Sequence, residues 1–184
     1  MKKTVLVPIA DGTEEIEAVC MIDTLRRAEA DVTVASVKAD TVIKASRGVK
    51  ILADALLTDL TDRTYNLIAL PGGMPGASHL AQSNALIRML KDQKEAGRLY
   101  AAICAAPAVV FDPNGLIPGL NVTCFPAMQD QIKSAHYIDE GVVIDRICIT
   151  GQGPGFALPF ALVLVEQLFG RPKRDQIAHD MLLS

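Results

Sequence analysis

Short runs of β-branched and aliphatic residues alternate along this chain with longer stretches in which apolar side chains recur every three or four positions. The runs at residues 4–9, 32–37, 49–53, 66–70 and 99–103 read as strands, since short apolar segments bounded by turn residues suit a buried sheet. Helical periodicity predicts helices over residues 14–30 and 80–96, the second stopping at Gly97, and a short helix after Cys104. Residues 122–124 read as a further short strand, and 142–144 with 146–150 as a hairpin. Two helices follow, over 155–169 up to Gly170 and then from Pro172 in a first-turn position. Strand, crossover helix, strand is the signature of a doubly wound, mostly parallel α/β sheet with helices on both faces, expected here as a single domain over residues 1–184.

Composition narrows the core and the partners. Half of the 184 residues are hydrophobic, yet only 4% are aromatic and there is no Trp, so the core must be built from Val, Ile, Leu and Ala. A net charge of -3 gives no basic footprint for nucleic acid and no polybasic patch for a membrane. The start imitates a secretory leader, but Asp11, Glu14, Glu15 and Glu17 follow the apolar run with no small-residue cleavage site. The later apolar stretch 156–165 contains Pro159 and is too short to span a bilayer, so a cytoplasmic protein is expected. Cys20, Cys104, Cys124 and Cys148 show no CxxC and no zinc spacing with histidine; they read as reduced thiols, with no metal. His79, His136 and His179 are scattered and read as structural or surface residues.

In a doubly wound sheet the ligand crevice lies beyond the carboxyl ends of the strands, which sorts the candidates. Segments 11–17, 71–73, 104–106 and 151–155 each follow a strand and are expected to converge on one rim. Cys104 stands out among them, where an apolar strand meets a small-residue helix start. Such an elbow lifts the side chain out of the backbone, and a helix N-terminus favours the thiolate. Glycines in two of the segments allow close backbone approach and leave N–H groups free for an oxyanion. Gly151-x-Gly153 is discounted as a dinucleotide fingerprint, because Phe156 occupies its third position. Glu17 falls in the first turn of the first helix, partly buried if Ile16 and Val19 pack inward, where a protonated carboxyl could donate to a thiolate. Glu14 and Glu15 read as complements of the helix dipole, and Cys124 as a core residue facing away from Phe125.

Asp11-Gly-Thr-Glu-Glu-Ile-Glu17-Ala, Ala45-Ser46-Arg47-Gly48-Val49, Leu70-Pro71-Gly72-Gly73, Ala101-Ala-Ile-Cys104-Ala-Ala-Pro107 and Gly153-Pro154-Gly155 together resemble the DJ-1/ThiJ/PfpI superfamily, and most closely its DJ-1 branch, in the pattern of the bacterial YajL type. The resemblance spans essentially the whole chain. It implies a flavodoxin-like sheet, a homodimer and no cofactor, with Cys104 as nucleophile and Glu17 as the acid bonded to it. It also implies oxyanion-type donors at Gly73 and Ala105, with Gly72, Pro154 and Phe125 beside the substrate. Arg47 and Arg27 match basic positions near the family's site and dimer interface, where the stripe Ile16, Val19, Ile22 would also lie. Ala105 stands where the protease-like branch has a histidine, so no Cys-His dyad can be written and proteolysis is rejected. Phe125 stands where the human-type branch carries another histidine, which removes that imidazole as a proton shuttle.

The function expected from this resemblance is glutathione-independent, cysteine-dependent conversion of small 2-oxoaldehydes to hydroxy acids, with glycated proteins as further candidate substrates. The alternative is a redox-responsive stress protein or chaperone whose Cys104 oxidises instead of turning over substrate.

Overall fold

A computed structural model describes residues 2–183; Met1 and Ser184, the ends of the domain expected over 1–184, lie outside the described residues. The chain runs β1 (Thr4–Ile9), α1 (Glu15–Arg27), β2 (Asp31–Ser36), β3 (Val42–Lys44), β4 (Lys50–Leu52), β5 (Ala55–Leu56), β6 (Leu67–Leu70), α2 (Gly76–Gln82), α3 (Asn84–Glu95) and β7 (Leu99–Ile103). It continues through β8 (Asn121–Val122), β9 (His136–Tyr137), β10 (Val142–Asp145), β11 (Cys148–Gly151), α4 (Ala157–Phe169) and α5 (Arg171–Asp180). One sheet has seven strands in the order β10-β11-β7-β6-β1-β2-β5, with β10 alone antiparallel to its neighbour. This is the flavodoxin-like arrangement.

Val5, Leu6, Val7 and Ile9 of β1, and all of β6, are buried on both sides, which is why these strands read as continuous apolar runs. The chain leaves β1 through α1 towards β2, and returns on the other side of β1 as β6 before moving outward to β7. Right-handed crossovers in opposite directions place α1 on one face and α2 with α3 on the other. Beyond β1 and β6 their carboxyl ends diverge, and the rim opens there.

Several expected boundaries move for identifiable reasons. The helix expected over 80–96 is two helices, because the Ser83 side chain accepts the Leu86 N–H at 3.4 Å and starts α3 afresh. Residues 49–53 do not join the main sheet; β4 pairs antiparallel with β3 in a separate ribbon, and Ala55–Leu56 takes the edge place beside β2. The short helix expected after Cys104 is a five-residue π turn, Pro107–Phe111. The strand expected at 122–124 ends at Val122. No helix among the described residues is long and apolar enough to cross a membrane.

Candidate active site

Cys104 sits at the end of β7 with φ +65°, a left-handed conformation that costs an L-residue about 1–3 kcal/mol. Two hydrogen bonds hold it there: its N–H donates to the Gly151 carbonyl at 2.9 Å, and its carbonyl accepts from the Phe125 N–H at 2.8 Å. The elbow thus depends on β11 and on the segment after β8, two regions distant in sequence.

Gly72 and Gly73 form the facing wall. A Cβ on Gly72 would stand 2.6 Å from Cys104 Cβ, so only glycine lets β6 approach the elbow this closely. Gly73 takes φ +85° and passes against the Glu14 N–H and Gly12 carbonyl, which turns its own N–H towards the sulfur. The Gly72 N–H, by contrast, donates to Glu17 Oε2 at 2.7 Å. Gly72, which the resemblance sets beside the substrate, therefore holds the acid with its N–H.

Glu17 is fully buried, and the orientation of α1 differs from the expected one. Ile16 and Val19 do not pack inward; they are 53% and 50% exposed, while Glu17 turns into the sheet rim. Its Oε2 is taken by the Gly72 N–H, and its Oε1 is buried with no hydrogen-bond partner among the described residues, with the Cys104 thiol close enough to act on the carboxyl's ionisation. Burial pushes the Glu17 carboxyl up to about 7, outweighing the Gly72 and Cys104 hydrogen bonds, with the nearby Glu14 charge adding to the rise.

Burial also pushes the Cys104 thiol up to about 12, reinforced by the Glu17 charge and opposed by the Gly73 and Ala105 N–H groups. The expected lowering by a helix N-terminus is not found, since a single π turn carries little dipole and Cys104 is only 8% exposed. Between their ionisations the pair holds one proton, which rests on the sulfur beside a Glu17 carboxylate. Its transfer to Glu17 makes the sulfur a thiolate facing three donors: Glu17 and the N–H groups of Gly73 and Ala105.

Glu15 does more than complement the helix dipole. It is 8% exposed and accepts Ser46 Oγ–H at 2.8 Å and the Arg47 N–H at 2.9 Å, tying the β3–β4 turn to α1. Burial works against its ionisation, but its hydrogen bonds, including those from Ser46 and Arg47, hold its carboxyl below the ordinary value. Glu14 caps α1 by accepting the Glu17 N–H at 2.9 Å.

A cavity of about 290 Å³ opens over Cys104. Of the residues singled out in the sequence, Gly73, Ala105, Arg47, Phe125 and Pro154 line it with the thiol. Arg27 lies elsewhere, near the end of α1, with its guanidinium 2.6 Å from Asp23. The sequence reading missed Met74 and Met128, which also line the cavity. Met74 follows the strand-end glycines directly and could have been found from that position; Met128 sits in a 3₁₀ turn with no periodic signal. Cys124 is fully buried and does not line the cavity, whereas its neighbour Phe125 does.

The DJ-1/PfpI family matches residues 3–167. The oxidized DJ-1 of Toxoplasma gondii superposes with a TM-score of 0.96 at 44% identity over 98% of both chains. Protein DJ-1 homologs B and A of Arabidopsis thaliana are 47% and 45% identical over 97% and 98% of this chain, which spans only 41% and 47% of their own lengths. The glutathione-independent glyoxalase DJR-1.2 of Caenorhabditis elegans is 36% identical over 98% of this chain and 95% of its own. With sequence and fold in agreement over nearly all of its length, the chain belongs to the DJ-1/PfpI family.

Proposed function

We propose that this protein converts small 2-oxoaldehydes to 2-hydroxy acids without glutathione, using Cys104 as nucleophile. The observation that carries the reading is the buried proton-sharing pair: a carboxyl poised near 7 against a thiol that two backbone donors also face. The glyoxalase named among the relatives supports the substrate class.

In the reaction, thiolate Cys104 adds to the aldehyde carbon, forming the S–C bond, and the carbonyl oxygen takes the charge. The Gly73 and Ala105 N–H groups, freed as the sulfur becomes neutral, meet that oxygen, and Glu17 supplies its proton. Glu17, now a carboxylate, then takes the former aldehydic hydrogen as a proton and returns it to the adjacent ketone carbon, while the hydroxyl proton on the first carbon passes to the ketone oxygen. The first carbon is thereby oxidised to a thioester while its neighbour is reduced to an alcohol. Water cleaves the S–C bond, releasing hydroxy acid and restoring the thiol; one water is consumed and no external oxidant or reductant. Conversion of methylglyoxal to lactate by chelator-treated protein in glutathione-free buffer is the test, and absence of lactate rejects the reading.

The same donors favour a second reading, redox sensing, which the oxidized state of the Toxoplasma relative supports. Cys104 is expected to be the first thiol that peroxide oxidises and to stop at sulfinate, since of the four cysteines it alone lines the cavity and none of the four is in a disulfide. Peptide mass spectrometry after graded peroxide checks this; earlier oxidation of Cys20, Cys124 or Cys148 contradicts it.

Homodimerisation belongs to the same proposal. Ile16 and Val19 on α1 lie exposed, as do Val49 and Leu52 of the β3–β4 ribbon, and Val19 and Leu52 flank one shallow groove. Light scattering at micromolar concentration should give a dimer, and Ile16→Asp should weaken association at least tenfold. A monomeric wild type removes the proposal.

A further inference from the structure

Of the polar side chains lining the cavity over Cys104, Glu14 caps α1 and the Ser46 hydroxyl donates to Glu15, while the exposed Arg47 adds a guanidinium. Met74, Phe125 and Met128 make up its apolar side, with Met74 and Phe125 each more than 40% exposed. Large apolar side chains held open to a cavity lose contact with water only when something apolar fills it.

Gly153 completes this side. A Cβ there would lie 3.4 Å from the Phe125 ring and 4.0 Å from Cys104 Sγ, so the missing side chain leaves a slot between ring and sulfur. An atom 4.0 Å from sulfur is at the spacing of one three bonds away, and in an aldehyde adduct that atom is the substituent on the neighbouring carbonyl carbon. The cavity's 290 Å³ is also about ten times the volume of a water molecule, more than methylglyoxal fills.

Resting on the proposed 2-oxoaldehyde chemistry, we propose that Met74, Phe125, Met128 and the bare Cα of Gly153 form a specificity subsite that selects 2-oxoaldehydes carrying a branched hydrocarbon substituent over glyoxal and over polyhydroxylated, sugar-derived dicarbonyls. With Glu14 and Ser46 committed, the Arg47 guanidinium is the polar side chain of this lining left for a substrate hydroxyl, and further hydroxyls against the apolar residues go unpaired. Burying hydrocarbon against these residues is worth about a threefold to fourfold gain per added carbon.

The test is kcat/KM along the series glyoxal, methylglyoxal, isopropylglyoxal, isobutylglyoxal, with a hydroxylated 2-oxoaldehyde of equal length as comparator. Wild type should rise about threefold per carbon and disfavour the hydroxylated compound. Gly153→Ala fills the slot, and its backbone is extended with no neighbour closer than 3.4 Å to the new methyl, so the fold is kept. That variant should cut the isobutylglyoxal-to-glyoxal ratio at least tenfold through KM. Phe125→Ala should cut the same ratio, and Phe125→Leu should restore most of it. A flat or falling wild-type series alongside Cys104-dependent lactate formation overturns the subsite and leaves the proposed activity standing. Should no aldehyde be turned over, the activity fails, and the subsite is read instead from reversible protection of Cys104 against iodoacetamide by the same series. Protection that strengthens with each carbon and flattens in Gly153→Ala supports the subsite; protection indifferent to the substituent overturns it.

Discussion

Cys104→Ala is expected to keep the fold and to lose at least about a thousandfold in methylglyoxal turnover, because the intermediate is bonded to the sulfur and no other thiol reaches the cavity. The alanine keeps the Cβ, the left-handed backbone and both hydrogen bonds that hold the elbow, so its stability should change by no more than about 1 kcal/mol. Cys104→Gly offers an informative companion: it removes the same sulfur while relieving the strain at φ +65°, and should be the more stable of the two inactive proteins. Cys148→Ala, at the start of β11 and away from the cavity, should keep most of the activity. Lactate production by Cys104→Ala at the wild-type rate would exclude the covalent route.

Glu17→Gln separates the acid's proton from its hydrogen bonds. In the wild type, Glu17 ionises through about pH 7 and its carboxylate, together with burial, holds the thiol protonated towards about 12, so iodoacetamide labelling of Cys104 should rise only well above pH 7. Glutamine can still accept the Gly72 N–H and donate to sulfur, but it carries no charge to oppose the thiolate. The labelling midpoint should therefore move downward and the rate at pH 8 rise at least tenfold; an unchanged midpoint would show that the carboxyl does not govern the thiol. Stability should change as well. A buried carboxyl raised from 4.5 to about 7 binds protons more tightly in the folded chain than in the unfolded one, so its favourable contribution is complete below pH 4.5 and is lost as pH rises through 7. The loss amounts to about 3 kcal/mol. Urea unfolding of Glu17→Gln should lack that slope and place the variant above wild type at pH 8.

The sheet was legible because its central strands are buried on both faces, which writes continuous apolar runs into the sequence, and the elbow because a strand ends there in small residues. The depth of Glu17 was not legible in the same way. Ile16, Val19 and Ile22 carry the spacing of a core-facing stripe, yet two of them point outward, and periodicity alone does not say which side of a helix the sheet occupies. The family resemblance and the stripe together point to a dimer through this helix. The thiol's electrostatics were misjudged because the turn after Cys104 is too short to act as a dipole, a property set by the close passage of Gly72 and the π turn. Ser83 followed by Asn84 was a readable capping signal inside the helix expected over 80–96. Met128 and the latch from Glu15 to Ser46 and Arg47 depend on loop paths that no local pattern encodes.

Glu15, Ile16 and Glu17 are consecutive, and helical geometry spaces them about 100° apart around α1. One anchors the β3–β4 turn, one faces outward, and one reaches the thiol. A single helical turn is thus the common axle of three surfaces, and none of them can rotate without the other two. If α1 forms the subunit contact, occupancy of the thiol site and subunit affinity become reciprocal quantities: whatever factor a bound aldehyde or an oxidised sulfur imposes on association, association returns to the site.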